Sequence, residues 1–195
     1  MDIEYIKKNY RFSTLTDNHD LSAFKCSSND LNDFLKSKAL IQQKEKLNVT
    51  KLIMINNIIV GFVSLLTDTI SLKNIRDENI KQEIKNLLVI NNPSEKRNLP
   101  AIKIGRFAVD EKYSNNGLGS EILMSVLFNI KEISENYIGL RFVTVDAYAI
   151  AYKFYTKFGF NNLKKDNDKI NKIDKIIERD PKHTFCLYLD LKVLE

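Results

Sequence analysis

The sequence predicts one α/β (α+β) domain: a mixed, mostly antiparallel sheet with a bulged central strand and flanking helices. Three observations carry that prediction. Short β-rich runs at 50–55, 58–66, 101–110, 141–148 and 183–194 alternate with stretches of helical periodicity. A chain of 195 residues lies within the range of a single compact domain and is long enough to bury a core. Its 44% hydrophobic and 28% charged residues are ordinary for a soluble protein.

The elements follow in order. Residues 10–16 (YRFSTLT) read as a short opening strand. From Asn29 or Asp30, the apolar positions Leu31, Phe34, Leu35, Ala39, Leu40 and Leu47 fit one helix face, with Ser28 and Asn29 as N-cap residues. TKLIMI (50–55) and IIVGFVSLL (58–66) are two strands joined at Asn56–Asn57, a pair that tolerates the positive φ of a tight hairpin. Residues 74–98 form a charged helical insertion, spaced on Ile75, Ile80, Ile84, Leu87 and Leu88 and too short for a core of its own. In AIKIGRFAVD (101–110) the apolar alternation slips between Ile104 and Phe107, with Gly105 between them, as at a β-bulge. Leu118, Ile122, Leu123, Val126, Leu127, Ile130 and Ile133 mark a long amphipathic helix. Then come a strand (141–148), a helix (149–158) stopped by Gly159, a charged excursion (164–182) and a closing strand (183–194).

Composition excludes several function classes. No apolar stretch approaches the roughly 20 residues that span a bilayer. The N-terminus MDIEYIKKNYRF has no secretion-signal pattern, so a cytoplasmic, membrane-free protein is expected. Cys26 and Cys186 stand far apart without companion ligands, which favours free thiols over a disulfide or a zinc site. The net charge of +5 invites nucleic acid. However, the basic stretches 73–97 and 164–182 also carry acidic residues, the pattern of a solvated face.

Two local features carry chemistry. The first is the strand 101–110 followed by 111-EKYSNNGLGS-120 and a helix. Gly117 and Gly119 allow close backbone approach, and the unpaired N–H groups of the helix start suit a pyrophosphate. By itself, Asn-Asn-Gly is also an ordinary turn, and neither P-loop nor GxGxxG spacing is present. The second feature is VTVDAY (143–148) followed by a helix bearing Tyr152 and Tyr155, among Phe154, Phe158 and Phe160 that read as core packing.

Together these features resemble the GCN5-related N-acetyltransferase (GNAT) superfamily over most of the chain. GRFAVDEKYSNNGLGS matches the family's bulged strand and R/Q-x-x-G-x-G/A turn, and AYKFYTKFGF (151–160) matches its A-x-x-[LF]-Y-x-x-x-G-F helix. Two departures stand out: Ser114 occupies the Arg/Gln position, and Tyr148 stands where many relatives carry Asn. A narrower resemblance lies in 24-FKCSSNDLNDFLKSKAL-40, similar to a segment of acetyltransferase toxins of bacterial toxin–antitoxin pairs and their solitary relatives. Ser27 replaces the usual Gly there, and the 74–98 insertion is longer than in typical toxins.

The resemblance implies acetyl-CoA as co-substrate, no metal, and a primary amine as acceptor. For the toxin branch that amine is the amino group of an aminoacyl-tRNA, and a homodimer and an antitoxin partner come into view. The pantetheine arm would lie along Phe107, Ala108 and Val109, and the pyrophosphate against Ser114, Asn115, Asn116, Gly117, Leu118, Gly119 and Ser120. Tyr155 would be the general acid for the leaving thiolate, while Glu111, Asp146 or a water chain remain open as base. Arg106, beside the bulge, leans towards the acceptor site; His19 and His183 fall in no matched motif. Lys36, Lys38, Lys44 and Lys46 are the expected tRNA-phosphate contacts. Competing expectations are an acetyltransferase for a small amine or a protein N-terminus, and an acyl-CoA-binding module without turnover, for which Ser114 is the best argument.

Overall fold

The computed structural model describes residues 2–75, 77–87, 98–163 and 172–194. It resolves into two compact units, each drawn from two stretches of chain: Met1–Thr67 with Ile104–Ile133, and Asp68–Lys103 with Ser134–Glu195.

The first unit begins with a helix where the sequence suggested none. α1 (Ile3–Asn9) is capped by Asp2, whose carboxylate accepts the Glu4 N–H, and it buries Ile6. Strand β1 (Arg11–Thr14) pairs antiparallel with β2 (Val49–Ile55), Arg11 opposite Met54 and Thr14 opposite Lys51. β2 returns into β3 (Ile58–Ser71) through Asn56 and Asn57 at φ 47° and 65°, so the two asparagines do supply the positive dihedrals of the hairpin. The β2–β3 register shifts at Ile53/Met54: Ile53 faces Gly61 and Met54 faces Ile59, leaving Val60 as the extra residue of a bulge.

The helix expected from Asn29 forms in three parts: α2 (Asn29–Asp33), one wider π-helical turn (Phe34–Lys38) and α3 (Ala39–Lys44). It buries Phe34, Leu35 and Ala39. Leu47, assigned to the same face from its spacing, is instead 62% exposed. The chain turns away at Lys46, whose φ is 62°, before Leu47 can continue the helical row. Phe24 and Phe34 pack against Phe62, with ring centroids 5.6 Å and 6.1 Å apart, at the centre of a core that includes Leu15, Leu35 and Leu52. The later part of β4 (Asn98–Val109) and most of α5 (Leu118–Asn136) complete the unit. α5 buries Leu118, Ile122, Leu123, Val126, Leu127 and Ile130, the face read from its periodicity.

In the second unit, β5 (Phe142–Tyr148) pairs antiparallel with β7 (Thr184–Asp190), Phe142 opposite Asp190 and Tyr148 opposite Thr184. β7 also pairs with the short β6 (Asn161–Asn162). α6 (Ala149–Thr156) follows β5 directly, and α7 (Ile173–Arg179) is joined to it by an ion pair between Lys153 and Asp174. The insertion read from the sequence appears as α4 (Glu78–Leu87). Ile75 and Ile84 bury against Leu99, Ala101, Phe142 and Tyr188. Arg141 fixes the insertion further, bonding both Asp190, at 2.7 Å, and Glu83 of α4, at 3.1 Å. Leu88 and the rest of the insertion to residue 97, and residues 164–171 of the charged excursion, lie outside the described residues. The hydrogen-bonded strand order is β1-β2-β3-β4-β5-β7-β6, a seven-stranded, mostly antiparallel sheet with flanking helices, as the sequence predicts.

Candidate functional site

The sequence-predicted residues divide between the units: 107–120 belong to the first and Tyr155 to the second.

In the first unit the strand end is clamped from two sides. Among Leu99, Ala101, Ile104 and Ala108, the buried residues of β4, the inward alternation changes phase between Ala101 and Ile104, a step before the Ile104–Phe107 spacing places it. Ala108 is buried, Phe107 and Val109 are half-buried, and Arg106 is exposed. On the β3 side, a Cβ on Gly61 would lie 2.8 Å from the Ala108 carbonyl oxygen, so only glycine admits this close backbone approach. On the other side, the buried Asp110 carboxylate accepts the N–H groups of Lys25 and Lys112, each at 3.0 Å. The Glu111 N–H donates to the Lys25 carbonyl at 2.8 Å.

The segment 24–26 is held in turn by Asn32. Its Oδ1 accepts the Cys26 N–H at 2.8 Å, and its Nδ2 donates to the Cys26 carbonyl at 2.9 Å, so one amide satisfies both backbone groups of Cys26. Asn32 and Asp110 thus set where the end of β4 lies, and neither was singled out from the sequence. The signal was present: a polar residue inside an apolar helical row (Leu31-Asn32), and an Asp at the end of a strand.

Beyond Asp110 a 3₁₀ turn, Glu111–Tyr113, leads into the candidate pyrophosphate turn. Asn115 has φ 61° and Gly117 φ 79°, whereas Gly119 lies inside the first turn of α5. The Gly117 carbonyl accepts the N–H groups of Ser120 and Glu121, so the N–H groups of Leu118 and Gly119 precede the first intrahelical bonds. Asn115, Asn116 and Gly117 are exposed. A backbone of this shape, at the positive end of a helix of 19 residues, fits a diphosphate. Ser114 does not add its hydroxyl to that set, because it donates to the Glu111 carbonyl at 2.9 Å.

In the second unit, Tyr148 caps α6 and the helix carries Tyr152 and Tyr155. Tyr152 accepts a bond from Asn162 at 2.6 Å, a structural role. Tyr155 is only 6% exposed, and its ring lies edge-on to Phe154 and Phe160 at 5.2 Å and 5.5 Å. Burial pushes its phenol well above the ordinary tyrosine value. The proton therefore stays on oxygen across the physiological range, so the group holds a proton to donate and is unfit to act as a base. Gly159, at φ 85°, ends the helical stretch as its position suggests.

Several of the remaining candidates have identifiable partners. Asp146 is ion-paired with Lys103, and Glu111 with Lys25 at 3.0 Å. Arg106 bonds its neighbour's carbonyl at 2.7 Å and stacks its guanidinium 5.3 Å from the Phe34 ring centroid. Lys36 donates to the Ser22 carbonyl at 3.1 Å, and Lys44 lies 3.7 Å from Asp17. His19 bonds the Thr16 N–H, and His183 packs against Phe185. Both cysteines are free thiols, as expected, and burial pushes the Cys26 thiol pKa up.

A family model for the acetyltransferase (GNAT) domain matches residues 22–174. No curated protein matches the sequence. Among solved structures, the chain is similar to AtaT complexed with acetyl-methionyl-tRNAfMet: 19% identity, 95% of this chain and 97% of that one, TM-score 0.74. A tyrosine-to-phenylalanine mutant of KacT is similar at 18% identity, 95% and 96% coverage and TM-score 0.73. A tyrosine-to-phenylalanine mutant of the AtaT toxin, bound to acetyl-CoA and the C-terminus of the antitoxin AtaR, is similar at 19% identity, 96% coverage of both chains and TM-score 0.67.

Proposed function

This chain belongs to the GNAT acetyltransferase family, and on that premise we propose that its acyl acceptor is the amino group of an aminoacyl-tRNA. The observation that carries the proposal is the Phe24–Leu40 segment. Its toxin-like pattern is physically explained here: Phe24 and Cys26 enter the core, and Asn32 ties the Cys26 backbone down. Similarity over 95% of the chain to AtaT, seen with acetyl-methionyl-tRNAfMet, supports the same acceptor class. An antitoxin partner, a homodimer and a cytoplasmic location belong to this reading. Among the described residues no helix is long and apolar enough to cross a membrane. We read both units as parts of one acetyltransferase domain, since the family match runs through stretches of each.

Acetyl-CoA brings the acetyl thioester. The exposed backbone of Asn115–Gly117 and the first N–H groups of α5 hold its diphosphate, and the Phe107–Val109 edge holds its pantetheine arm. A backbone N–H near Phe107 or Ala108 polarises the thioester carbonyl. The neutral amine attacks the carbonyl carbon, a C–N bond forms and the C–S bond breaks. The departing sulfur takes the Tyr155 proton, the amine's surplus proton leaves to water, and the phenolate regains a proton from water to close the cycle. Asp146 and Glu111, each held by a lysine, are less suited to receive it than a water chain.

The inward-turned Ser114 hydroxyl favours a second reading, an acyl-CoA-binding module without turnover. Mass spectrometry of charged tRNA after incubation with the protein and acetyl-CoA separates the two. The proposal expects an acetyl group on the aminoacyl nitrogen. Acetylation of a polyamine or peptide with none on tRNA would refute the acceptor while leaving the family activity intact, and coenzyme binding with no turnover would favour the binding module.

A further inference from the structure

A lysine outside the family's pattern reaches the diphosphate turn. Were Gly117 to carry a Cβ, that atom would lie 3.5 Å from Lys7 Nζ and 3.8 Å from its Cε. Lys7 lies on α1, before the stretch 22–174 that the family model matches. Its ammonium is paired at 2.7 Å with Glu4 on the same helix, and its side chain is 22% exposed. Meanwhile Ser114, where the family carries Arg or Gln, spends its hydroxyl on its own backbone. The turn therefore has a cation beside Gly117 and none at the usual place in the motif.

Resting on the acetyl-CoA reading above, we propose that Lys7 is a coenzyme-binding residue whose ammonium pairs with a phosphate group at the α5 turn, supplying the charge that Ser114 lacks. A lysine ammonium carries three donors, so one can remain with Glu4 while the others meet phosphate oxygens. Gly117 is set by its φ of 79°, and the lysine tip lies at ordinary contact distance from where its Cβ would be. Lys7 also lines a cavity of about 420 Å³ together with Lys8, Tyr10, Phe12 and Phe128. Two phosphates of the coenzyme can therefore serve as partner, the diphosphate over the turn or the 3′-phosphate of the ribose.

Calorimetry on the full chain tests this with acetyl-CoA and with its dephospho form, which lacks the 3′-phosphate, at several salt concentrations. Lys7→Met should weaken acetyl-CoA binding by about ten-fold and flatten its salt dependence. KM should rise with kcat unchanged, because the contact lies far from the reacting carbonyl along the coenzyme. Lys7→Arg should bind nearly as well as wild type, and Lys7→Glu worse than Lys7→Met. Equal losses for both ligands assign the diphosphate; a loss confined to acetyl-CoA assigns the 3′-phosphate. A folded Lys7→Met variant with wild-type affinity and salt slope would overturn the proposal. A wild-type chain that does not bind acetyl-CoA at all would instead overturn the reading on which it rests.

Discussion

Replacing Tyr155 by Phe separates catalysis from stability. The ring keeps its edge contacts with Phe154 and Phe160, so packing is preserved. Only the hydroxyl is lost, and burial alone shifts its pKa, with no bonded partner among the described residues. Its removal orphans no donor or acceptor, and the change in folding free energy should stay within about 1 kcal/mol. Catalysis should respond very differently. Donation by a placed acid contributes about 10²–10⁴-fold, which is roughly 3–5 kcal/mol of transition-state stabilisation. Steady-state turnover with acetyl-CoA and charged tRNA, read by release of free thiol, should therefore fall at least about a hundred-fold. Coenzyme affinity by calorimetry and the urea midpoint should remain near wild type. A fully active Tyr155→Phe protein would return Tyr155 to plain core packing; a protein that loses activity and folding together would refute the reasoning about its hydroxyl.

Further outcomes follow from the same geometry. Gly119→Glu places a carboxylate in the first turn of α5, against the diphosphate, and calorimetry should find acetyl-CoA affinity lost in a protein that still melts cooperatively. Asn32→Ala strands the N–H and carbonyl of Cys26, which Asn32 bonds at 2.8 Å and 2.9 Å. Urea unfolding should show a loss of about 2–4 kcal/mol, and a loss below about 0.5 kcal/mol would mean that water replaces the clasp. Alkaline pH should destabilise the fold, since burial raises the folded pKa of Tyr155 above its ordinary value. Above about pH 10 the unfolded chain gives up this proton while the folded chain keeps it, so stability present below pH 10 is lost as pH rises. Urea midpoints from about pH 8 to about pH 11 should fall less steeply for Tyr155→Phe than for wild type.

Local patterns in this sequence were decisive wherever a residue answers to its own backbone or to neighbours a few positions away. Asn56–Asn57 supplies the hairpin because asparagine tolerates positive φ. The face of α5 was legible because Leu118 through Ile130 repeat at the helical period, and Gly117 and Gly159 mark two of the places where the chain adopts positive φ. The strand–turn–helix and Tyr155 motifs announced the family for the same reason, as runs of contiguous residues.

What stayed illegible depends on partners that periodicity cannot name. The helix from Asn29 was visible, but its π turn was not, and neither was the departure of Leu47 from its face. Leu47 leaves at the turn at Lys46, and the row that remains packs with Phe24 and Phe62, neighbours that no helical period names. Asp110 could be seen as a strand-ending carboxylate, yet its bond to the Lys25 N–H joins residues 85 positions apart. Asn32 looked like a polar interruption until the fold brought Cys26 within reach of its amide. Lys7 was one basic residue among many, and only the packing of the N-terminal helix brought its ammonium to Gly117. Backbone preference is written residue by residue; the identity of a long-range partner is settled only when burial leaves a polar group one neighbour to satisfy it.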